Sequence, residues 1–567
     1  MSSLSTASSL SRAPQANIRR SVFNINFNHL TTFNAGKLVP IFCNEVLPGD
    51  TFSLDLSSFV RMATPIVPVM DNAFLDVFSF FVPNRLVWDN WKYFMGETKK
   101  AFTPNTETIV PQCNSSVTSQ SSSTFTPGGL ADHLGISPGD YYYQSSTSSS
   151  GNPWITFNAL PFRGYHLIWN EWFRAQQLQD PVLIPTGDYD IPSGGNYPYT
   201  YNTLLPVGRY SDYFSSCTPA PQFGPSVYIP LEDTPVISGA NHLDSHDTAT
   251  VNVYVPSSGS IPSSGATLGL NGPVSGGHVA PVVAKSSSTT QVTNGVYFSN
   301  LWSDNSMAGT ILALRYAFQV QKLLERDLYG TRYREILLSH FGVTISDSTV
   351  QVPEYLGGCH IPLRMLQVVQ TSSSSTSDRP LGDTGGFSKT TDVRRLFTKS
   401  FQEHGYVFVL VCVRHDHSYQ QGVDPMWLRK TRFDFYWPEF DHIGAQPVYN
   451  SSIWADHGNS PGVNSNLGIF GYNEAYADYR YFPNLVTGGF RMSSADDVGY
   501  GIWHYADYYK SLPTLSASWI EEGEEAINRT LAVPSTESDQ FLADFNFHLV
   551  ATRPMSLTGQ PGFADHF

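Results

Sequence analysis

Apolar and polar positions alternate along this chain in short runs. In MDNAFLDVFSFFVPNRLVWDNW, residues 70–91, Phe74, Phe78, Phe80 and Val82 fall on one side of an extended chain, with Asp76 the single polar member. Ala73, Leu75, Val77 and Phe81 fall on the other side, interrupted by Ser79. Side chains alternate across a strand with period two, so a strand apolar on both sides is covered on both sides. Pro83 ends the run, because proline cannot donate to a strand ladder. The same two-sided pattern returns in HGYVFVLVCVRHDHSYQQG near residue 410. KTRFDFYWPEF, ending near Pro438, and FLADFNFHLVATRP, with Phe541, Phe545 and Phe547, read as further strands. Pro48, Gly49 and Asp50 predict a tight turn between Val46 and Phe52.

Helical spacing occurs in two places. Tyr165, Ile168, Trp169, Trp172 and Phe173 repeat at three and four, an aromatic stripe expected to pack in a core. GTILALRYAFQVQKLLERDLYG predicts one long helix with Ile311, Leu314, Phe318 and Leu324 on one face and Gly330 as its stop. A short helix over TRYREILLSHFG follows. Strands supplied by both halves of the chain, with helices inserted between, suit one antiparallel sandwich with expanded loops.

Two stretches depart from this pattern. Residues 111–151 are dominated by serine and carry too little apolar surface for a core. Residues 185–300 are rich in Gly, Pro, Ser and Tyr, and between Asp247 and Asp304 the only formal charge is Lys285. The piece TATVNVYVPSS within it, with Val251, Val253 and Val255 alternating, reads as a strand. This region is expected to be a long insertion ordered by its neighbours.

Charge sharpens the picture. Only 14% of the 567 residues are charged, against roughly a quarter in an average chain, and aromatics reach 14%. Such a surface suits a chain that packs against many neighbours. The net charge of −15 excludes a protein whose whole surface grips nucleic acid. Residues 1–44 are the exception: they hold Arg12, Arg19, Arg20 and Lys37 and no acid, and read as a basic, Ser-rich arm. The five scattered cysteines form no CxxC pair, which argues against a disulfide framework and for a reducing compartment. No run reaches transmembrane length and residues 1–20 lack a signal-like apolar core, so a soluble, non-exported protein is expected.

Candidate chemistry is sparse. His415 and His417 lie two apart, on one side of a strand, beside Asp416; two imidazoles and a carboxylate can bind a divalent ion. No third and fourth ligand stand nearby in the sequence, and no metal is expected. Glu521, Glu522, Glu524 and Glu525 surround Gly523. Paired carboxylates can cleave glycosidic bonds, but four at one turn suit solvent or a basic partner. GxSxG, GxxxxGK[ST], HExxH and GxGxxG are all absent, and no enzyme or cofactor is expected. A β-sandwich glycan enzyme or lectin and a fibre-like receptor protein are the competing classes; the first lacks an export signal and the second lacks internal repeats.

Longer phrases carry more information. TTFNAGKLVPIFCNEVLPGDTF, TPIVPVMDNAFLDVFSFFVPNRLVWDNWKYFMGE, ALPFRGYHLIWNEWFR, GTRYREILLSHFGV, TKSFQEHGYVFVLVCVR, YQQGVDPMWLRKTRFDFYWPEFDHIG and SLPTLSASWIEE occur in this order between Thr31 and Phe567. In them the chain resembles the major capsid proteins of the Microviridae, small icosahedral single-stranded DNA bacteriophages, and most closely the gokushovirus group. The resemblance implies a mainly β fold: an eight-stranded antiparallel jelly-roll β-sandwich with long loop insertions and a few helices. It implies an arm over 1–44 leading into the first strand of a single capsid domain over 45–567. It also implies self-assembly into a T=1 icosahedral shell, with pentamers as intermediates, in the host cytoplasm. The 185–300 insertion would form threefold protrusions used in host attachment through a bacterial surface receptor. The arm would face packaged single-stranded DNA, with Arg12, Arg19, Arg20, Phe23, Phe27 and Lys37 as DNA-facing residues, since aromatics beside cations stack bases. A small basic DNA-binding capsid protein is a further implied partner, and the glutamates around Gly523 become a candidate subunit interface.

Overall fold

The computed structural model describes residues 18–98, 109–114, 127–137, 156–188, 202–227, 253–254, 297–298, 311–328, 330–371, 381–455, 465–493 and 499–559. The chain divides into two units, one of residues 1–223 with 325–567 and one of residues 224–324.

In the larger unit, two four-stranded antiparallel sheets face each other. Strands β1 (Ser21–Phe33), β2 (Val39–Val46), β3 (Thr51–Met62), β4 (Ala73–Pro83), β5 (Glu354–Pro362), β6 (Thr390–Ser400), β7 (Gly405–His415) and β8 (Phe541–Arg553) build them. One sheet has the order β1-β8-β3-β6 and the other β2-β7-β4-β5. β1 pairs with β8 over its whole length, from Ser21 opposite Arg553 to Phe33 opposite Phe541. β7 lies between β2 and β4, with Phe408 opposite Cys43 on one side and Phe80 on the other. The predicted turn between β2 and β3 is present: Gly49 takes φ +92°, where a side chain would strain, and Asp50 N–H donates to the Leu47 carbonyl.

The two sheets are covered differently. β3 and β8 alternate buried and less buried positions, so the first sheet has one core face and one polar face. The second sheet is covered on both faces, as the apolar pattern of β4 and β7 requires. Leu75, Val77, Phe81, Val407, Val409, Val411 and Val413 join Phe52, Leu54, Phe545 and Phe547 in the core between the sheets. Phe80, Val82, Tyr406, Phe408, Leu410 and Cys412 point the other way, into a second core. Helix α1 (Leu160–Ile168), continued by a π-helical turn over Trp169–Phe173, closes that second core with Leu160, Phe162, Tyr165, Ile168 and Trp169. The expected aromatic stripe is thus core. Gly164 allows the close contact: a Cβ there would stand 3.0 Å from the Phe408 ring.

Asp76, the lone polar residue on its side of β4, is buried and satisfied. It accepts from Tyr210 Oη (2.7 Å), Arg414 Nε (2.9 Å) and His360 Nδ1 (2.6 Å), and Arg414 Nη2 also closes on it.

α1 also holds a buried histidine. His166 Nδ1 is 2.7 Å from the Phe162 carbonyl, and burial, partly offset by that bond, pulls its pKa down to about 4. The unfolded chain takes up the proton first, near pH 6.5, so acid favours unfolding between pH 6.5 and about 4. This group removes about 3 kcal/mol of stability by pH 4. Urea unfolding at pH 7 and pH 4 should show a smaller acid loss in His166→Gln than in the natural chain. Equal losses would mean that the imidazole is protonated in place.

Several expectations need correction. β1 begins at Ser21, so the chain enters the sheet well inside the 1–44 arm, because its Phe27 and Phe33 pair with the aromatic rows of β8. Residues 202–223 of the expected insertion belong to the larger unit, where Leu205, Val207, Tyr213 and Phe214 are buried. Cys113, Leu130 and Ala131, from the Ser-rich stretch, also pack in the second core. KTRFDFYWPEF is no strand: Arg432–Asp434 and Pro438–Phe440 are 3-10 turns, held where Asp434 Oδ2 accepts from the Lys430 and Thr431 N–H groups at 2.7 Å. The long helix, α2 (Ile311–Asp327), exists, but Ile311 and Phe318 of its apolar face are exposed and only Ala317 is buried; periodicity makes the helix and does not supply its cover. It ends before Gly330, where a Cβ would crowd the Glu335 backbone at 3.1 Å.

The smaller unit is described at few positions. Val253–Tyr254 pair antiparallel with Tyr297–Phe298, so part of the predicted strand there is present; Val251 and Val255 lie outside the described residues. No disulfide joins the five cysteines.

Candidate functional site

Three groups of residues could act on something beyond the fold. The first is the basic segment before and along β1. Arg12 lies outside the described residues. Arg19 and Arg20 are exposed just ahead of the strand, and Phe23 is half-covered opposite Ala551. Phe27 lies on β1. Its ring stacks against Phe547 (5.0 Å) and Phe42 (5.7 Å), which are 5.4 Å from each other, and is partly buried against the core. Lys37 is half-buried and bridges to Pro206, away from the two arginines in the chain.

The second group is an aromatic surface on the 425–444 loop. Its 3-10 turns are rigidly capped: Asp424 Oδ1 accepts from Met426 N–H at 2.8 Å, and Trp437 Nε1 donates to the Arg432 carbonyl at 2.7 Å. Trp427 is 73% exposed, Phe433 59% and the neighbouring Phe482 78%. Phe435, Tyr436 and Trp437 are also exposed. Tyr436 meets Tyr476 edge-on at 4.9 Å, and the Arg429 guanidinium lies 4.2 Å over Tyr479 while pairing with Asp478. Large rings held rigidly in water form an apolar patch of the kind that partners cover.

The third group is buried. β7 ends at His415, and His417 follows on the same side, as the two-residue spacing predicts; the ring centroids are 4.3 Å apart. The carboxylate between them is not Asp416. It is Glu522, which sequence reading assigned to solvent or an interface and which is 5% exposed. Its N–H donates to the Val207 carbonyl, and Gly36, at φ +73°, lets the chains touch, since a Cβ there would stand 2.2 Å from the Glu522 carbonyl oxygen. Glu522 Oε2 is 3.0 Å from His417 Nε2, and Oε1 lies against His415 Nδ1. Asp507 Oδ2 is 3.1 Å from His417 Nδ1 and accepts from Arg209 Nη1 at 2.6 Å.

Electrostatics follow from this packing. Burial disfavours the His417 cation, but Asp507 and Glu522 outweigh burial and hold its pKa up at about 9. Burial likewise opposes the Glu522 anion, and His415 and His417 bring its pKa down to about 2. Asp507 is held well below the usual carboxylate range by Arg209 and His417 despite burial. No signal along the chain could have found Glu522, because it lies 105 positions from His417.

Comparison with known proteins is consistent across the chain. Residues 11–563 match the family model described as capsid protein (F protein). Capsid protein VP1 of Bdellovibrio phage phiMH2K is 36% identical, with 99% of this chain and 98% of that protein covered. Capsid protein VP1 of Chlamydia phage 1 is also 36% identical, over 97% of each chain. Capsid protein VP1 of Spiroplasma virus 4 is 35% identical, over 96% of this chain and 95% of that one.

Proposed function

The chain belongs to the capsid protein (F protein) family of the Microviridae, as its sequence phrases implied, and from that premise we propose that it is the repeating subunit of a T=1 icosahedral shell around a single-stranded DNA phage genome. A capsid protein is part of the virion, and the relatives are structural proteins rather than enzymes. No described helix is long and apolar enough to cross a membrane.

The strand orders β1-β8-β3-β6 and β2-β7-β4-β5 support reading the sandwich as an eight-stranded jelly roll. The observation that carries self-assembly is the aromatic surface of the 425–444 loop. Cores of protein interfaces are depleted in charge and enriched in Trp, Tyr, Phe and Arg, and this loop presents that set already ordered. A neighbouring copy covers it, with pentamers forming on the way to the closed shell in the host cytoplasm. Arg12, Arg19 and Arg20, ahead of β1, neutralise phosphate on packaged DNA, beside a small basic DNA-binding protein. Lys37 and the partly covered Phe23 and Phe27 are secondary contacts. The insertion, centred on residues 224–300, forms the threefold protrusion and meets the bacterial receptor.

Electron microscopy and sedimentation of the purified chain test this reading. Uniform closed particles, or pentamers that close as salt is varied, are expected, with nuclease-protected single-stranded DNA inside particles made during infection. Trp427→Asp combined with Phe433→Ser should give a folded, soluble subunit that does not assemble. A natural chain that stays monomeric at high concentration under all salts would overturn the proposal.

A further inference from the structure

We propose that His415, His417 and Glu522 supply three ligands of a buried structural site for one divalent transition ion of the zinc class. The three residues are buried, and one ligand atom from each lies within 4.8 Å of the others. Bonds of about 2.0–2.1 Å place tetrahedral ligands about 3.4 Å apart, so closure asks for side-chain rotations of little more than 1 Å. Two imidazoles and a carboxylate are the donor set that such ions select.

Two independent features point to an ion rather than to a self-sufficient polar core. His415 is 1% exposed, and its Nε2 has no hydrogen-bond partner, while Nδ1 pairs with Glu522 Oε1. A buried ring nitrogen left in this way is costly, and an ion bound there satisfies it. The outer contacts are also those of a metal site. With His417 Nε2 turned to the ion, Nδ1–H donates to Asp507 Oδ2 at 3.1 Å, and Arg209 in turn holds that carboxylate at 2.6 Å. A carboxylate behind a ligating imidazole fixes its tautomer and ring orientation. The ion would pin the end of β7 to the segments carrying Asp507 and Glu522, beside the bond from Asp507 N–H to the Ser418 carbonyl.

The test uses the full-length soluble subunit, stripped with EDTA and dialysed, then titrated with Zn2+ against a chromophoric chelator and, separately, with Co2+. One Zn2+ per chain is expected, with a raised thermal unfolding midpoint, and Co2+ should give the intense visible bands of a four-coordinate N/O site. Loss of an outer-shell partner typically weakens metal sites about 10–100-fold, so His417→Gln and Glu522→Gln should each weaken Zn2+ by at least that. Arg429→Gln, remote from the cluster, should leave binding unchanged. Substoichiometric Zn2+ uptake by the natural chain, or only the weak octahedral spectrum of hydrated Co2+, overturns the site. So does a His417→Gln chain that keeps full affinity. If both variants fail to fold, the natural chain's stoichiometry and cobalt spectrum decide alone. Particle formation is scored separately, so a chain that assembles without metal removes this site and leaves the shell proposal standing.

Discussion

Replacing Asp76 by alanine is expected to lower the stability of the folded subunit by about 3–5 kcal/mol. Asp76 sits in the middle of a covered sheet face, and its carboxylate is the shared acceptor for Arg414, Tyr210 and His360. The Arg414 side chain is 16% exposed and lies 4.1 Å over the Tyr210 ring. Without Asp76 the guanidinium stays buried with its charge uncompensated, since Gly208 offers it only a carbonyl at 3.3 Å. That orphaned cation, more than the lost ion pair, sets the cost. The double variant Asp76→Leu with Arg414→Met removes both charges and should recover most of the loss. Urea unfolding of the soluble subunit measures both. A loss below about 1 kcal/mol in Asp76→Ala would mean that water reaches Arg414.

The second large effect is Phe408→Ala, expected to cost about 3–5 kcal/mol, as much as Phe545→Ala. Phe545 lies in the core between the sheets and Phe408 on the opposite face, beneath α1. Both are fully buried. Equal losses follow if the layer under α1 is a true second core. A Phe408→Ala cost near that of a surface change, within about 0.5 kcal/mol, would show that α1 merely rests on the sandwich. The Gly164 contact sharpens the comparison, because α1 approaches the sheet closely enough that little can move in to fill the void.

Double-sided burial was legible in the residues because it is local: β4 and β7 write both faces into eleven consecutive positions each. The turn at Gly49 and the stripe of α1 were legible for the same reason. KTRFDFYWPEF carries the same alternation of rings and polar groups, and was misread because periodicity records side-chain type, not the presence of a pairing strand. Its Lys430 and Thr431 N–H groups go instead to Asp434, and those of Tyr436 and Trp437 to the Tyr479 and Tyr476 hydroxyls. The apolar face of α2 misled in the opposite sense, since the repeat is real and its cover is missing among the described residues. The histidine cluster was half legible. The spacing of His415 and His417 set the two rings side by side, while Glu522 reaches them only through the path of the folded chain. The arm illustrates a third limit: a basic, Ser-rich start conceals that β1 supplies Phe33 to the core and lays Phe27 against it.

The pairing of β1 with β8 has a consequence for timing. Asn26 and His548 face each other although they stand 522 positions apart. At roughly 5–20 residues per second, a ribosome needs roughly 25–100 s to make the distance between them. During that interval the early strand is an open edge, vulnerable to the wrong neighbour. A chain that stops short of β8 leaves β1 unpaired, so the sealing of this sheet waits until both strands have been made.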